Sequence, residues 1–202
     1  MKISDSVRKA IDDWESQDYE SSMMHTCNAV DGTAQKVYPG TTSDNLRFTT
    51  YIRKYNDLVS AMAFPDIDLG RTRWPVHVRN PKAPGGGVDF ADMIYGIHRC
   101  NHDHGNEIPI GNDIQPNLMK PDQPLSYGIK NGSIQLSDHV IWALLIIVIL
   151  DPVNAMLADA KLDQYYFVLG KKKLLVNEWW GRLNDLPKPP KPHGVLDFSE
   201  LK

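Results

Sequence analysis

The sequence predicts a mainly α-helical protein: a helical bundle whose core contains an antiparallel helical hairpin, with two short β-hairpins attached. Apolar residues recur at helical spacing in several segments. Capping residues begin these segments, and proline or glycine ends them. Two short pairs of apolar runs flank turn-forming residues. At 202 residues the chain is long enough for one domain with a sizeable core, so we expect a single helical domain over residues 1–202.

The predicted helical hairpin comes from two long segments with matching apolar seams. The first helix is expected over residues 18–38, with Asp18 as its cap and Pro39-Gly40 as its end. The second is expected from residue 44 or 45 to 62. Because only a short turn separates the two, they should pack antiparallel. The seam residues are Met23, Cys27, Val30, Ala34 and Val37 in the first helix, and Phe48, Ile52, Tyr55, Val59 and Met62 in the second.

Three further helices are expected outside this hairpin. Residues 5–16 form a short amphipathic pattern. The run Val140–Leu150, capped by Ser137 or Asp138, is apolar throughout and predicts the most buried helix, since a membrane span needs about twenty such residues. Residues 152–160 form a shorter helix that begins at a proline.

The rest of the C-terminal part predicts hairpins, a last short helix and a tail. The first hairpin pairs 127–130 with 133–136 around Asn-Gly, a dipeptide that favours tight turns. The second pairs 165–169 with 174–176. Asn177 is expected to cap the last helix, and residues 186–202 form a proline-rich, extended tail. Residues 65–87 and 106–130 are expected to be loops, with a possible short strand at 74–78.

Composition restricts the classes of function. The net charge of −3 gives no global attraction to nucleic acid or to anionic membranes, so such binding needs a local basic patch. Two cysteines do not make a disulfide framework, which favours reduced thiols. The N-terminus is too polar for a secretory apolar core. We therefore expect a cytoplasmic protein with no membrane association, no cofactor and no bound metal.

One helix carries the least ordinary pattern in the chain. Three glycines precede Asp89, which is expected to cap a helix over residues 89–104. Its first half is apolar on one face, with Phe90, Met93, Ile94 and Ile97 at helical spacing. Its second half is polar, and its residues are His98, Arg99, Cys100, Asn101, His102, Asp103 and His104. If the protein has chemistry, we expect it at this polar helix end.

An arginine followed by four residues and a histidine, at the end of an amphipathic helix in a helical bundle, resembles the signature of the HEPN superfamily. That resemblance implies a bundle that forms a homodimer, with the motifs of both subunits lining one cleft. Many members are metal-independent endoribonucleases. By the same resemblance Arg99 and His104 would be catalytic, and Arg99, Asn101 and His102 would bind RNA. Cys100 departs from the family pattern, which usually has a polar residue such as Asn or Asp after the arginine.

The chemistry of these residue types suits RNA cleavage without a metal. A base must take the proton of the ribose 2′-hydroxyl, and histidine titrates near neutral pH. A cation must stabilise the phosphorane, and arginine binds phosphate with two parallel hydrogen bonds. On an unbroken α-helix, however, positions five apart point about 140° from each other. Arg99 and His104 converge only if the helix ends or bends near Asn101, or across a dimer axis.

Other interpretations remain open. An ion pair between Arg99 and Asp103, four residues apart, would make the motif structural. The protein would then be a non-enzymatic interaction or immunity-type helical domain. A third interpretation is a zinc-like metal site formed by histidines and cysteines. Its ligands would come from His98, Cys100, His102 and His104, together with His25 and Cys27 of the neighbouring helix.

Overall fold

A computed structural model describes residues 2–100, 112, 114–116, 128–130, 133–169 and 172–198. Within these residues the chain is mainly helical, as predicted. A π-helix, Ile94–Arg99, continues directly from the fifth α-helix. The α-helices are α1 Ile3–Glu15, α2 Tyr19–Val37, α3 Asp44–Lys54, α4 Asn56–Ala63, α5 Phe90–Met93, α6 His139–Leu150 and α7 Val176–Trp179.

The most extensive helix pair is α1 with α2, which form an antiparallel hairpin. The predicted cap of α2 is confirmed, because the Asp18 carboxylate accepts a hydrogen bond from the Ser21 N–H at 3.0 Å. Helix α3 also packs on α2, as predicted, but over a smaller contact. Val30 on α2 and Ile52 on α3 are both fully buried. The predicted packing of α2 against α3 is therefore confirmed, but α2 packs more extensively against α1.

The second predicted seam helix is interrupted at Tyr55, where α3 ends and α4 begins. Tyr55 leaves the helical region, with φ −113° and ψ 18°. Its hydroxyl donates to the Asp151 carboxylate at 2.6 Å, and the Tyr51 hydroxyl donates to the Ile147 carbonyl at 2.9 Å. These two tyrosines tie the break to the C-terminal end of α6. No sequence spacing within 44–62 indicates such a distant anchor.

Helix α6 lies at the centre of the protein, as its composition predicted. Every residue from Ala143 through Leu150 is buried, and α2 and α4 pack against it. Among the described residues, no helix is both long enough and apolar enough to cross a membrane. Burial inside the protein therefore accounts for this apolar run.

The two strands of the first predicted hairpin are present, and a third strand extends them into a small sheet. Strand β2, Gly128–Lys130, pairs antiparallel with β3, Ser133–Ser137, in the register Gly128↔Gln135. Strand β1, Ile114–Gln115, pairs parallel with the other edge of β3. Two residues are too few to show a strand periodicity, so β1 was missed inside the predicted loop.

The second hairpin pairs β4, Tyr166–Leu169, with β5, Lys172–Leu175. The second strand begins two residues before the predicted start, and Val176 already belongs to α7. The predicted cap at Asn177 was wrong. Its amide instead joins α7 to the loop at Asp159: its oxygen accepts from the Asp159 N–H at 3.1 Å, and its nitrogen donates to the Asp159 carbonyl at 2.7 Å.

The predicted helix over 152–160 was wrong. The chain instead forms a 3₁₀ turn at Pro152–Asn154, and a second 3₁₀ turn, Ala160–Leu162, begins where the helix was expected to end. The side chain of Asn154 explains why the first turn stops. It turns back into the core and donates to the Val148 carbonyl at 2.9 Å and to the Thr33 hydroxyl at 3.0 Å. Tertiary hydrogen bonds therefore outweigh the local helical preference.

The segment between α4 and α5 has no strand at 74–78, although Trp74, Val76 and Val78 are alternately buried. The glycine run that follows forms a turn around an arginine. Gly85, Gly86 and Gly87 all have positive φ, a conformation that favours glycine. The Arg73 guanidinium donates to the Pro84 and Gly86 carbonyls, each at 2.7 Å. The glycines thus cradle a side chain of the protein itself, and they lead the chain into α5.

Candidate functional site at the end of the π-helix

The helix that carries Arg99 begins as the sequence predicted. The Asp89 carboxylate accepts from the Asp92 N–H at 2.9 Å and so caps α5. The apolar face is also confirmed, because Phe90, Met93, Ile94 and Ile97 are buried. This face fixes the helix to the core and leaves its end close to α2 and α3.

The winding changes before Arg99 is reached. From Ile94 to Arg99 the chain forms a π-helix, and the Cys100 N–H donates to the carbonyl of Tyr95, five residues earlier. In this winding, side chains five apart come closer to a common face than they do on an α-helix. The Tyr95 and Cys100 side chains interact in this way. Burial first, and then Cys100 through its charge and a side-chain hydrogen bond, raise the pKa of Tyr95 to about 12, although Arg99 opposes them.

Arg99 forms an ion pair with a residue of α2. Its Nη2 lies 3.4 Å from Oδ2 of Asp31, and the two side chains are only 16% and 15% exposed. The guanidinium carbon also lies 5.8 Å from the centre of the Tyr95 ring, within cation–π range. Asp103, the partner expected for a structural motif, lies outside the described residues. Asp31 therefore holds the arginine across two helices.

Asp31 is shared with a second arginine, Arg47 of α3. Arg47 Nη2 lies 3.4 Å from Oδ1 of Asp31 and 2.5 Å from Oδ1 of Asp44. We call Asp31, Arg47, Arg99 and Asp44 the Asp31 cluster. Its two guanidinium groups and two carboxylates balance in charge. Both distances to Asp31 exceed the 2.7–2.9 Å that is typical of charge-assisted hydrogen bonds, so the contacts of Asp31 with the two arginines are long.

The cysteine of α2 beside this cluster is not a nucleophile. Cys27 is buried, and burial raises the pKa of its thiol to about 12, although the charge of Arg99 opposes the effect. A thiol with that pKa is protonated at neutral pH and unreactive. Cys100 is partly exposed.

The other predicted site residues divide into two groups. His98 is described and is fully buried. Asn101, His102 and His104 lie outside the described residues, so the convergence of Arg99 and His104 stays a prediction. Within the part of the chain that the structure describes, no three His, Cys, Asp or Glu side chains are placed to hold a metal ion. His25 instead lies 3.6 Å from the Asp13 carboxylate.

A second arginine network lies at the other end of the same helical segment. Arg53 Nε lies 2.7 Å from Oδ2 of Asp89, and its Nη2 lies 2.9 Å from Oδ1 of Asp92. Both carboxylates are buried, and the N–H groups of Lys82 and Ala83 each donate to Asp92 at 2.8 Å. Burial lowers the pKa of Arg53, but the two carboxylates outweigh it and raise that pKa above its ordinary value.

Sequence reasoning missed the partners in both networks. The sequence predicted Asp89 only as the cap of the helix, and it indicated no role for Asp31 or Arg47. Asp31 and Arg99 are 68 positions apart, and a single acidic residue on a helix face gives no signal of a partner so distant. A buried arginine such as Arg47 is equally hard to predict, because arginines are mostly exposed.

These observations define a mainly helical protein with a charged cluster where a π-helix meets two helices of the bundle. The chain belongs to the Rv1289 family, whose profile matches residues 2–200. Two relatives, Uncharacterized protein Rv1289 of Mycobacterium tuberculosis and Uncharacterized protein Mb1320 of Mycobacterium bovis, are each 34% identical over 185 residues. The match covers 90% of this chain and 84% of each relative. No solved structure matches the chain.

Proposed function

We propose that the Asp31 cluster is a phosphate-binding site, and that the protein binds RNA there and cleaves it without a metal. The observation that carries the proposal is the placement of two arginines, Arg99 and Arg47, around one aspartate, Asp31, at the end of the π-helix. The Arg99 guanidinium lies 3.4 Å from this aspartate, which it shares with Arg47. A phosphate offers two oxygens to the planar guanidinium group and can replace such a partner.

The mechanism assigns one task to each residue. His104 takes the proton of the ribose 2′-hydroxyl, and the 2′-oxygen attacks the neighbouring phosphorus. Arg99 stabilises the added negative charge on the phosphorane. The bond from phosphorus to the 5′-oxygen then breaks, and that oxygen takes a proton from water, which leaves a 2′,3′-cyclic phosphate and a 5′-hydroxyl; His104 releases its proton to solvent. Asn101 and His102 hold the RNA beside Arg99. A homodimer that places two motifs in one cleft would follow from the resemblance to HEPN proteins.

A second candidate function is a non-enzymatic interaction domain, and the charge balance of the cluster favours it. Two guanidinium groups face two carboxylates there, and Arg99 and Asp31 are both mostly buried. In this alternative Arg99 only fastens the end of the π-helix to α2. The two candidates differ in one respect that can be measured, because only the first requires Arg99 and His104 for an activity.

The experiment measures cleavage of mixed RNA by the wild type, Arg99→Ala and His104→Ala, with and without a chelator. We expect each substitution to lower the rate by about 10²–10⁴-fold, and the chelator to have no effect. Arg71→Ala removes an exposed arginine from the loop between α4 and α5 and serves as the matched control. Its rate should equal that of the wild type. Sedimentation of the wild type should show a dimer.

Binding is measured separately, with an RNA whose 2′-hydroxyl groups are methylated so that it cannot be cleaved. Arg99→Ala should weaken this binding, and Arg71→Ala should not. If the wild type leaves RNA intact and does not bind the methylated RNA, the interaction domain is the correct function. If it binds but does not cleave, the phosphate site stands and the catalytic role of His104 does not.

A further inference from the structure

The composition of the proline-rich segment near the C-terminus favours a polyproline II helix. Four of its six residues from Pro187 to Pro192 are proline. Each proline fixes its own φ near −65° and disfavours helical conformation in the residue before it. Leu186, which precedes the first proline, has φ −90° and ψ 146°, close to the polyproline II values. No helix or strand occurs from 187 to 193.

Burial along this segment repeats every third residue. Leu186, Pro189 and Pro192 are partly buried, whereas the residues between them are exposed. A polyproline II helix has three residues per turn, so residues three apart lie on one edge. One edge therefore rests on the protein and the other two face outward. The exposed edges consist of Pro187, Pro190 and His193, and of Lys188 and Lys191.

The segment is attached to the protein at both ends. At its start Leu186 packs against the hydrophobic core, and its N–H donates to the carbonyl of Leu183, which also packs there, at 3.2 Å. At its end Gly194 and Asp66 are joined by an N–H to carbonyl hydrogen bond of 2.7 Å, and the Gly194 carbonyl accepts from the Asp68 N–H at 2.7 Å. A side chain at Gly194 would lie 2.9 Å from the Asp66 carbonyl, so this close approach requires glycine. The extended segment is thus held in place before any partner arrives.

We propose that residues 186–193 are a preformed ligand for a protein domain that binds polyproline II helices. The chemistry of the outward edges defines the partner. Exposed proline rings pack between aromatic side chains, which line the grooves of such domains. Within the described residues neither Lys188 nor Lys191 forms an ion pair, so the partner groove should have an acidic rim. Because the segment is already extended and attached, less conformational entropy is lost on binding.

The test uses the full chain and a panel of purified SH3 and WW domains with acidic rims, with affinity measured by calorimetry. We expect at least one domain to bind with a dissociation constant below about 1 mM. The double substitution Pro187→Ala with Pro190→Ala should weaken this binding by about tenfold or more, without a change in melting temperature. Lys188→Glu with Lys191→Glu should weaken it as well, and less so at high salt.

The matched control is Pro189→Ala with Pro192→Ala, which removes the same number of prolines from the edge that rests on the protein. It should bind more tightly than the outer-edge variant. In a free peptide of residues 183–196 no edge is covered, so the two double substitutions should weaken binding equally. Equal effects of the two variants in the full chain, or no binding by any domain of the panel, would overturn the proposal.

Discussion

Two arginine networks lie at opposite ends of one helical segment, Phe90–Arg99, and they differ in the burial and the contacts of their carboxylates. At the start, Arg53 reaches two carboxylates at 2.7 and 2.9 Å, and both are almost fully buried. At the end, Arg99 and Arg47 each lie 3.4 Å from one shared aspartate, Asp31. The carboxylates of the first network are thus almost fully buried, whereas Asp31 in the second is 15% exposed and contacts its two arginines at longer distances.

The difference follows from what surrounds each carboxylate. In the first network one arginine faces two carboxylates, so one negative charge is left without a cation. Backbone N–H groups donate to both carboxylates and stabilise that charge. In the second network, Asp31 accepts hydrogen bonds of 3.4 Å from each arginine and one of 3.1 Å from the Gln35 amide. Desolvation makes the first network costly to break. In the second network the arginines are about as buried as Arg53, and the difference lies in the carboxylates: Asp31 is 15% and Asp44 58% exposed.

The largest effect should come from Arg53→Ala. This substitution leaves the buried carboxylates of Asp89 and Asp92 without their cation, which typically costs about 3–5 kcal/mol. Denaturant unfolding measures the loss, and Arg71→Ala, at an exposed arginine, should stay within about 0.5 kcal/mol of the wild type. A loss below about 1 kcal/mol for Arg53→Ala would show that the network at the helix start is no firmer than the one at its end.

The scaffold under both networks can be tested at two core residues. Ile52 precedes Arg53, and Val30 precedes Asp31; both are fully buried. Ile52→Ala and Val30→Ala should each cost about 1–4 kcal/mol, through lost burial and the cavity that remains. The two losses of stability should be similar in size, because both side chains are fully buried, whereas the ion pairs at the two ends differ. Unchanged melting temperatures in both variants would contradict the core assignment.

A smaller effect on stability, with a gain in binding, should come from Asp31→Asn. The two pairs that it removes are long, and the asparagine oxygen can still accept a hydrogen bond, so the expected loss of stability is about 0.5–1.5 kcal/mol. Without that negative charge, Arg99 and Arg47 should bind RNA phosphate more tightly, which titration with methylated RNA measures. Asp44→Asn is the matched control, because it removes an equal charge that faces Arg47 alone. Equal affinity in both variants would mean that Asp31 does not compete with phosphate.

How much of this could be predicted from sequence depends on the range of the interaction. The cap at Asp18, the cap at Asp89 and the buried run that forms α6 depend on neighbours a few residues away, and all three were predicted. The break at Tyr55 and the early stop after Asn154 depend on hydrogen bonds to distant residues, and both were missed.

The candidate site shows the same limit. The sequence indicated Arg99, because a polar cluster at the end of an apolar helix is visible locally. It gave no sign of Asp31 or Arg47, which approach Arg99 only in the folded protein. The π-helix was also missed, since helical periodicity over six residues does not separate one winding from the other.

The smallest expected effect concerns a third ion pair, Asp13 with His25, whose closest atoms are 3.6 Å apart. Burial lowers the pKa of His25 and raises the pKa of Asp13, and in each case it outweighs their mutual attraction. The pair therefore differs from the Arg53 network, in which attraction outweighs burial. Protonation of His25 should therefore lower the stability of the folded protein.

The sign of the effect can be stated from these directions. An unfolded histidine has a pKa of about 6.5, and the folded His25 has a lower one. As pH falls from 7 to about 5, the unfolded chain takes up the proton first, and the stability of the folded protein decreases. His25→Gln should make this decrease smaller, as denaturant unfolding at several pH values would show. His77→Gln, at an exposed histidine, is the control and should follow the wild type. If His25→Gln also follows the wild type, burial does not outweigh attraction at this pair.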